Sequence, residues 1–157
     1  MVSNKHYVAT AYVYDAHTDQ FLLVFHKKLE KWLPPGGHLD IGEEPHTGAL
    51  RELAEETGLS GRILNLLGTP NVSTPDVAQL PSPFCVLSEH IPAVGAAEEH
   101  IHIDFVYAME IDRDQALQVD KQEVLAARWF SWREIDRLET YANVRRVCQA
   151  ISYFSRK

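Results

Sequence analysis

GHLDIGEEPHTGALRELAEETGL, residues 37–59, fixes Gly37, Glu43, Arg51, Glu52, Glu55, Glu56 and Gly58 at set intervals around one predicted helix. Written as a pattern it is G-x5-E-x7-R-E-[aliphatic]-x-E-E-x-G-[aliphatic], and no position departs from it. Seven fixed identities at ordinary residue frequencies coincide by chance on the order of 10⁻⁸ times per starting position. The helix is predicted to begin near Glu44 and Pro45, because proline suits a first turn and acidic residues there complement the helix dipole. It is predicted to end at Thr57, with Gly58 as a left-handed cap. At 100° per residue Ala49, Leu50 and Leu53 share one arc, and Glu52, Glu55 and Glu56 share the next. One face packs and the other carries carboxylates.

Spacing at i, i+3 and i+4 converges the three glutamates on one site. Cleaving a phosphoanhydride requires charge neutralisation on non-bridging oxygens, a water in line and removal of its proton. Magnesium takes oxygen ligands in octahedral geometry and keeps several waters, so one to three carboxylates plus substrate phosphates form a suitable shell. A solvated acidic face is the competing reading, since like charges at this spacing cost only roughly 0.2–0.5 kcal/mol per pair. A merely solvated surface has no use for the glycines, the arginine and Glu43 tied to the same run.

Upstream, residues 7–15 and 21–25 are rich in aromatic and β-branched residues and read as strands, with a loop at 16–20. A short strand at 31–33 meets Pro34-Pro35-Gly36-Gly37, which reads as an irregular turn bringing backbone close to whatever sits there. Downstream, residues 62–69, 84–91, 100–111 and 126–131 read as strands. Segments 71–83 and 92–99 read as loops. Ser131-Trp132-Arg133-Glu134 forms a capping box, and Val144, Val147, Ile151 and Phe154 repeat at helical spacing, so two further helices are expected. The order predicts an α/β (α+β) fold with a mixed sheet, in a single domain over residues 1–157.

The chain has 45% hydrophobic and 24% charged residues, enough for one soluble domain. Its formal charge of −7 argues against duplex nucleic acid, which needs a basic surface. A small phosphorylated substrate remains compatible where bound divalent cations invert the local field. The longest apolar run, residues 21–25, is far short of a membrane span, and MVSNKHY lacks the apolar stretch of a secretory signal, so the expected location is cytoplasmic. Cys85 and Cys148 show no metal-type spacing and are expected as thiols.

The pattern over residues 37–59, preceded by Pro35-Gly36, resembles the box of the Nudix hydrolases. The resemblance implies a Nudix-type α/β/α sandwich with a central mixed β-sheet. It implies Mg2+ or Mn2+ held by Glu52, Glu55 and Glu56, with the carbonyl of Gly36 completing the shell. Glu52 would also orient or deprotonate water, and Arg51 belongs to the catalytic group with Glu43 as a brace between loop and helix. Gly37 and Gly58 shape the turn and the cap. Members of the family commonly recruit one further acidic residue from outside the box. Glu123 is the first choice here, six positions before Trp129 in a loop entering a strand, with Glu98 and Glu99 as competitors.

Outside the box, His100, His102 and Asp104 alternate in HIHID and share one strand face, with His90 closing the preceding strand. They read either as polar residues facing a cleft or as a second metal site, for which imidazole suits zinc better than magnesium. Lys27 and Lys28 are candidates for substrate phosphates. Trp32, Phe84, Phe105 and Tyr12 are candidates for stacking on a base. The leading functional expectation is a metal-dependent pyrophosphohydrolase acting on a nucleoside diphosphate linked to another moiety. The alternatives are a non-catalytic nucleotide-binding module, and an isoprenoid diphosphate isomerase that would use Cys85. A homodimer is compatible with the family resemblance.

Overall fold

The computed structural model describes residues 4–93, 98–112 and 114–157. In chain order the elements are β1 (Lys5–Asp15), β2 (Gln20–His26), β3 (Lys31–Leu33), β4 (Gly36–His38), α1 (Pro45–Thr57), β5 (Gly61–Ile63), β6 (Cys85–Ile91), β7 (His100–Ile111), β8 (Val124–Ser131), α2 (Trp132–Ile135) and α3 (Ala142–Ser155). The sheet runs β3-β2-β1-β7-β5, with β4 on β1, β6 on β7 and β8 on β2. It is mixed because β1 and β7 are parallel, in register from Lys5↔Ile101 to Val13↔Met109, while the other pairs are antiparallel.

Period-two alternation on those two central strands divides the core. Ala9, Ala11 and Val13 lie with Tyr107 and Met109 on one face, where Ala49 and Leu53 of α1 cover them. Tyr12, Tyr14, Val106 and Ala108 point the other way and meet Val144, Val147, Cys148 and Ile151 of α3. The result is an α/β/α sandwich. Leu53 is fully buried, so truncating it to alanine would cost about 2–5 kcal/mol and loosen α1 from the sheet.

Several expected elements take a different form. Residues 34–37 are not wholly irregular: Gly36–His38 is a short strand, paired to β1 through Thr10↔Gly36, Ala9↔Gly37 and Val8↔His38. The strand expected over 62–69 shrinks to Gly61–Ile63. Asn65 ends it by exchanging two side-chain hydrogen bonds with the backbone of Thr69, donating at 3.1 Å and accepting at 3.0 Å, so the local turn outcompetes the ladder. Glu44 is the N-cap of α1, not a first-turn acid, and its side chain makes no cap hydrogen bond. The capping box of α2 is present, with the Ser131 N–H donating to Glu134 Oε2 at 2.8 Å. Part of the loop expected at 92–99 lies outside the described residues. Among the described residues no helix is long and apolar enough to cross a membrane.

Candidate active site

Helix α1 and strand β4 build the site together. Gly58 closes the helix in the left-handed conformation, φ 71°, and its N–H donates to the Ala54 carbonyl at 2.8 Å. This leaves Glu52 and Glu56 one turn apart beside Leu53, where both are buried, at 8% and 4% exposure. Glu55 differs from its neighbours: it stands in solvent on the outer edge of the arc. The carboxylate face therefore splits into two buried groups and one exposed group.

Strand β4 brings bare backbone against the buried pair. A Cβ on Gly37 would lie 2.5 Å from Glu52 Oε1, so only glycine leaves room for that carboxylate. The Gly36 N–H donates to Glu56 Oε2 at 3.3 Å. Pairing of β4 with β1 holds both contacts in place.

The electrostatics of the pair follow from burial. Glu56 is pushed up to about 8, first by desolvation and then by the charge of Glu52, with Glu123 and Glu55 adding to the rise against the Gly36 hydrogen bond. Glu52 is also raised, chiefly by burial, although Arg51 opposes the shift. Glu123 bears on both carboxylates. Its residue directly precedes β8, and its carbonyl accepts from the Lys27 N–H at 3.0 Å.

Arg51 grips Glu43 with two parallel bonds, Nε to Oε1 and Nη2 to Oε2, both 2.9 Å. Nη2 also donates to the His38 carbonyl at 3.0 Å, and Glu43 Oε2 accepts from the Asp40 N–H at 3.0 Å. The guanidinium thereby joins loop to helix and holds the Glu43 carboxyl below its ordinary value. It does not stop there: Nη1 reaches Glu52 Oε1 at 2.8 Å and Glu55 Oε2 at 2.9 Å. The brace and the carboxylate group are one network.

The other candidates are dispersed. Glu99 pairs with His90, and the Glu98 carbonyl accepts from His100 Nδ1 at 2.8 Å. Lys27 and Lys28 are exposed on the turn after β2, beside the backbone of Glu123. Trp32 is half-buried, edge-on to Phe25 at 5.3 Å and to Phe130 at 4.7 Å. Phe84 and Phe105 pack at the margins of the two cores, and Tyr12 is buried within one. Cys85 packs on the α3 side of the sheet, with its thiol raised by burial and by Asp104.

His100 and His102 share a face as expected, but two residues distant in sequence join them. His6 sits opposite His102 in the parallel β1–β7 register, and His38 arrives on β4. Burial and the neighbouring imidazoles push His102 down to about 4 and also lower His38. Asp104 lies deeper, buried and accepting twice from Thr10 Oγ1 at 2.8 and 2.9 Å. No local sequence signal marks His6 or His38, since only the strand register assembles them.

The acidic group fits a hard divalent cation. Two buried carboxylates, each raised by desolvation and by neighbouring negative charge, are stabilised by a positive charge placed between them. Their donors are all oxygen, as Mg2+ and Mn2+ prefer.

Comparison with known proteins bears on the family and the fold. ADP-ribose pyrophosphatase of Bacillus subtilis (strain 168) is 34% identical over 107 residues, which are 66% of this chain and 57% of that protein. A probable DHNTP pyrophosphohydrolase of Lactococcus lactis is 29% identical over 98 residues, 62% of this chain and 51% of its own length. The chain thus spans little more than half of either relative. Among solved structures, a NUDIX family hydrolase from Clostridium perfringens superposes with a TM-score of 0.72 at 22% identity, covering 96% of each chain. A C. elegans Ap4A hydrolase gives 0.65 at 18% identity over 94% of this chain and 96% of its own. At these identities the structures speak to the fold. The model of the NUDIX domain matches residues 4–150, nearly the whole length, and the chain belongs to that family.

Proposed function

We propose that this chain is a single-domain Mg2+- or Mn2+-dependent pyrophosphohydrolase that cleaves the phosphoanhydride bond of a nucleoside diphosphate linked to another moiety. The observation that carries this reading is the burial of Glu52 and Glu56 one helical turn apart, with Glu123 acting on both. Glu52, Glu55, Glu56 and the Gly36 carbonyl would hold the cation. When bound, it supplies charge neutralisation at the phosphate oxygens and a template for water.

The chain's own groups do the rest. Glu123 or Glu52 accepts the proton of the attacking water, since both stand in the acidic group, and burial makes the Glu52 carboxylate a stronger base than an ordinary glutamate. Arg51 positions Glu52 through its Nη1 while Glu43 fixes the guanidinium. Lys27 and Lys28, on the turn beside Glu123, would meet substrate phosphates. ADP-ribose, named in one relative's activity, belongs to the proposed substrate class.

A module that binds without cleaving has no use for the complete set of box glutamates retained here. An isomerase built on Cys85 would need that thiol near the box carboxylates. Cys85 packs instead with the α3 core, while α1 covers the opposite face.

The test is a panel of ADP-ribose, dinucleoside polyphosphates, NADH, nucleotide sugars and nucleoside triphosphates, assayed for product with and without Mg2+ or Mn2+. Metal-dependent cleavage of a nucleoside diphosphate derivative, lost in Glu56→Gln, is expected. Binding across the panel with no cleavage would overturn the reading.

A further inference from the structure

We infer that His6, His100 and His102 form a binding site for a zinc-class transition-metal ion, separate from the glutamate helix. One ligand atom from each of the three lies within 4.8 Å of the others. His6 stacks on His100 with ring centroids 4.4 Å apart, and His38 Nε2 is 3.3 Å from His6 Nδ1. Four of the chain's eight histidines thus meet at one end of the sheet.

The His100–His102 nitrogen pair is spaced as two ligands of one tetrahedral ion are. Zinc–imidazole bonds of 2.0–2.1 Å make a tetrahedral edge of about 3.3 Å. His100 Nε2 and His102 Nε2 stand 3.1 Å apart. A carbonyl only accepts, so the 2.8 Å contact from His100 Nδ1 to the Glu98 carbonyl puts the ring proton on Nδ1. In the neutral ring that leaves the Nε2 lone pair facing His102, the orientation a metal-ligating histidine takes from its outer partner.

The donor set also separates this site from the carboxylates. Imidazole nitrogens select zinc, nickel or copper, whereas the all-oxygen group on α1 suits magnesium and manganese. Among the described residues none of the four histidines is paired with a carboxylate. The ion would tie the start of β1 to the start of β7, with His38 extending the contact to β4 and the wall of a cleft of about 610 Å³ before α1.

The short nitrogen–nitrogen distances also suit N–H···N hydrogen bonds, and metal binding separates the two arrangements. Protein stripped with chelator is titrated with Co2+ and followed by visible absorption and calorimetry, and Zn2+ is then added in competition. We expect one equivalent to give the intense absorption of tetrahedral Co2+, to be displaced by one equivalent of Zn2+, and to raise the Tm. The His100→Ala/His102→Ala variant should bind at least a hundredfold more weakly while keeping a wild-type circular dichroism spectrum. Glu52→Gln/Glu56→Gln should retain the signal, which distinguishes failure of this site from failure of the hydrolase reading. The inference falls if wild type gives no saturable tetrahedral signal, if the histidine variant binds as wild type does, or if the signal depends on the glutamates alone.

Discussion

Gly37 leaves its side-chain position to Glu52: a Cβ there would stand 2.5 Å from Oε1 and 2.7 Å from Cδ of the carboxylate. The glycine is in the box because strand β4 must pass directly against a buried catalytic candidate. Gly37→Ala is therefore expected to displace Glu52 while the β1–β4 ladder persists. Activity should fall at least tenfold with a much smaller change in Tm, read by steady-state kinetics and thermal unfolding. Wild-type kcat in Gly37→Ala would show that the position of Glu52 is immaterial.

Arg51 carries two loads, bracing Glu43 and touching Glu52 and Glu55. Removing it leaves Glu43 without its fork and takes the guanidinium charge from a group already crowded with carboxylates. Arg51→Ala should cost about 1.5–3 kcal/mol in urea unfolding, the range for hydrogen bonds to charged groups. Arg51→Lys should recover little, since an ammonium cannot make the two parallel bonds. Equal stability of lysine and arginine at this position would mean that charge alone suffices.

Much of this arrangement was legible because its signals are local. Pro45 and Gly58 bound α1 where they were expected, since the first fixes φ and the second caps in the left-handed region. Strand β7 was also legible over its full length, because its alternation is long. Residues 62–69 misled because their apolar pattern continues past Ile63, while Asn65 and Gly68, φ 65°, turn the backbone away. The different burial of Glu55 and Glu56 was illegible, since helical spacing gives an angle and not the position of the sheet beneath. The histidine cluster needs the parallel register that sets His6 beside His102 across more than ninety intervening residues.

Glu123 and the pair Glu98 and Glu99 make opposite predictions. Glu123 acts on both buried box carboxylates, whereas Glu99 is engaged by His90 and Glu98 lies beside His100. Glu123→Gln should lower kcat at least tenfold, with little effect on Tm because its side chain is exposed. Glu98→Gln and Glu99→Gln should retain kcat. The reverse ranking in parallel kinetic assays would move the assisting acid to Glu98 or Glu99.

Asp19 links the β1–β2 turn to α3 and sets a pH dependence far from the active site. It accepts from Tyr14 at 2.7 Å, from Ser152 at 3.2 Å and from Arg156 at 2.6 Å. The Tyr14 hydrogen bond chiefly, helped by Arg156 and Ser152, holds its carboxyl below the ordinary 3.8 against the opposing cost of burial. The unfolded chain therefore binds the proton first as pH falls. The stabilisation is complete above about pH 5, where both states are ionised, and is lost as pH drops through the unfolded and then the lowered folded value. Its size should stay below ~1 kcal/mol, because the carboxylate and Arg156 are 44% and 62% exposed and the ion pair is screened. Asp19 has φ 54°, which asparagine tolerates, so Asp19→Asn removes the charge without adding backbone strain. Chemical denaturation of the two proteins should show wild type more stable at pH 7, with the gap closing at the acid end of the series. A difference that stays constant down to the lowest pH would show that the carboxylate charge at Asp19 contributes nothing.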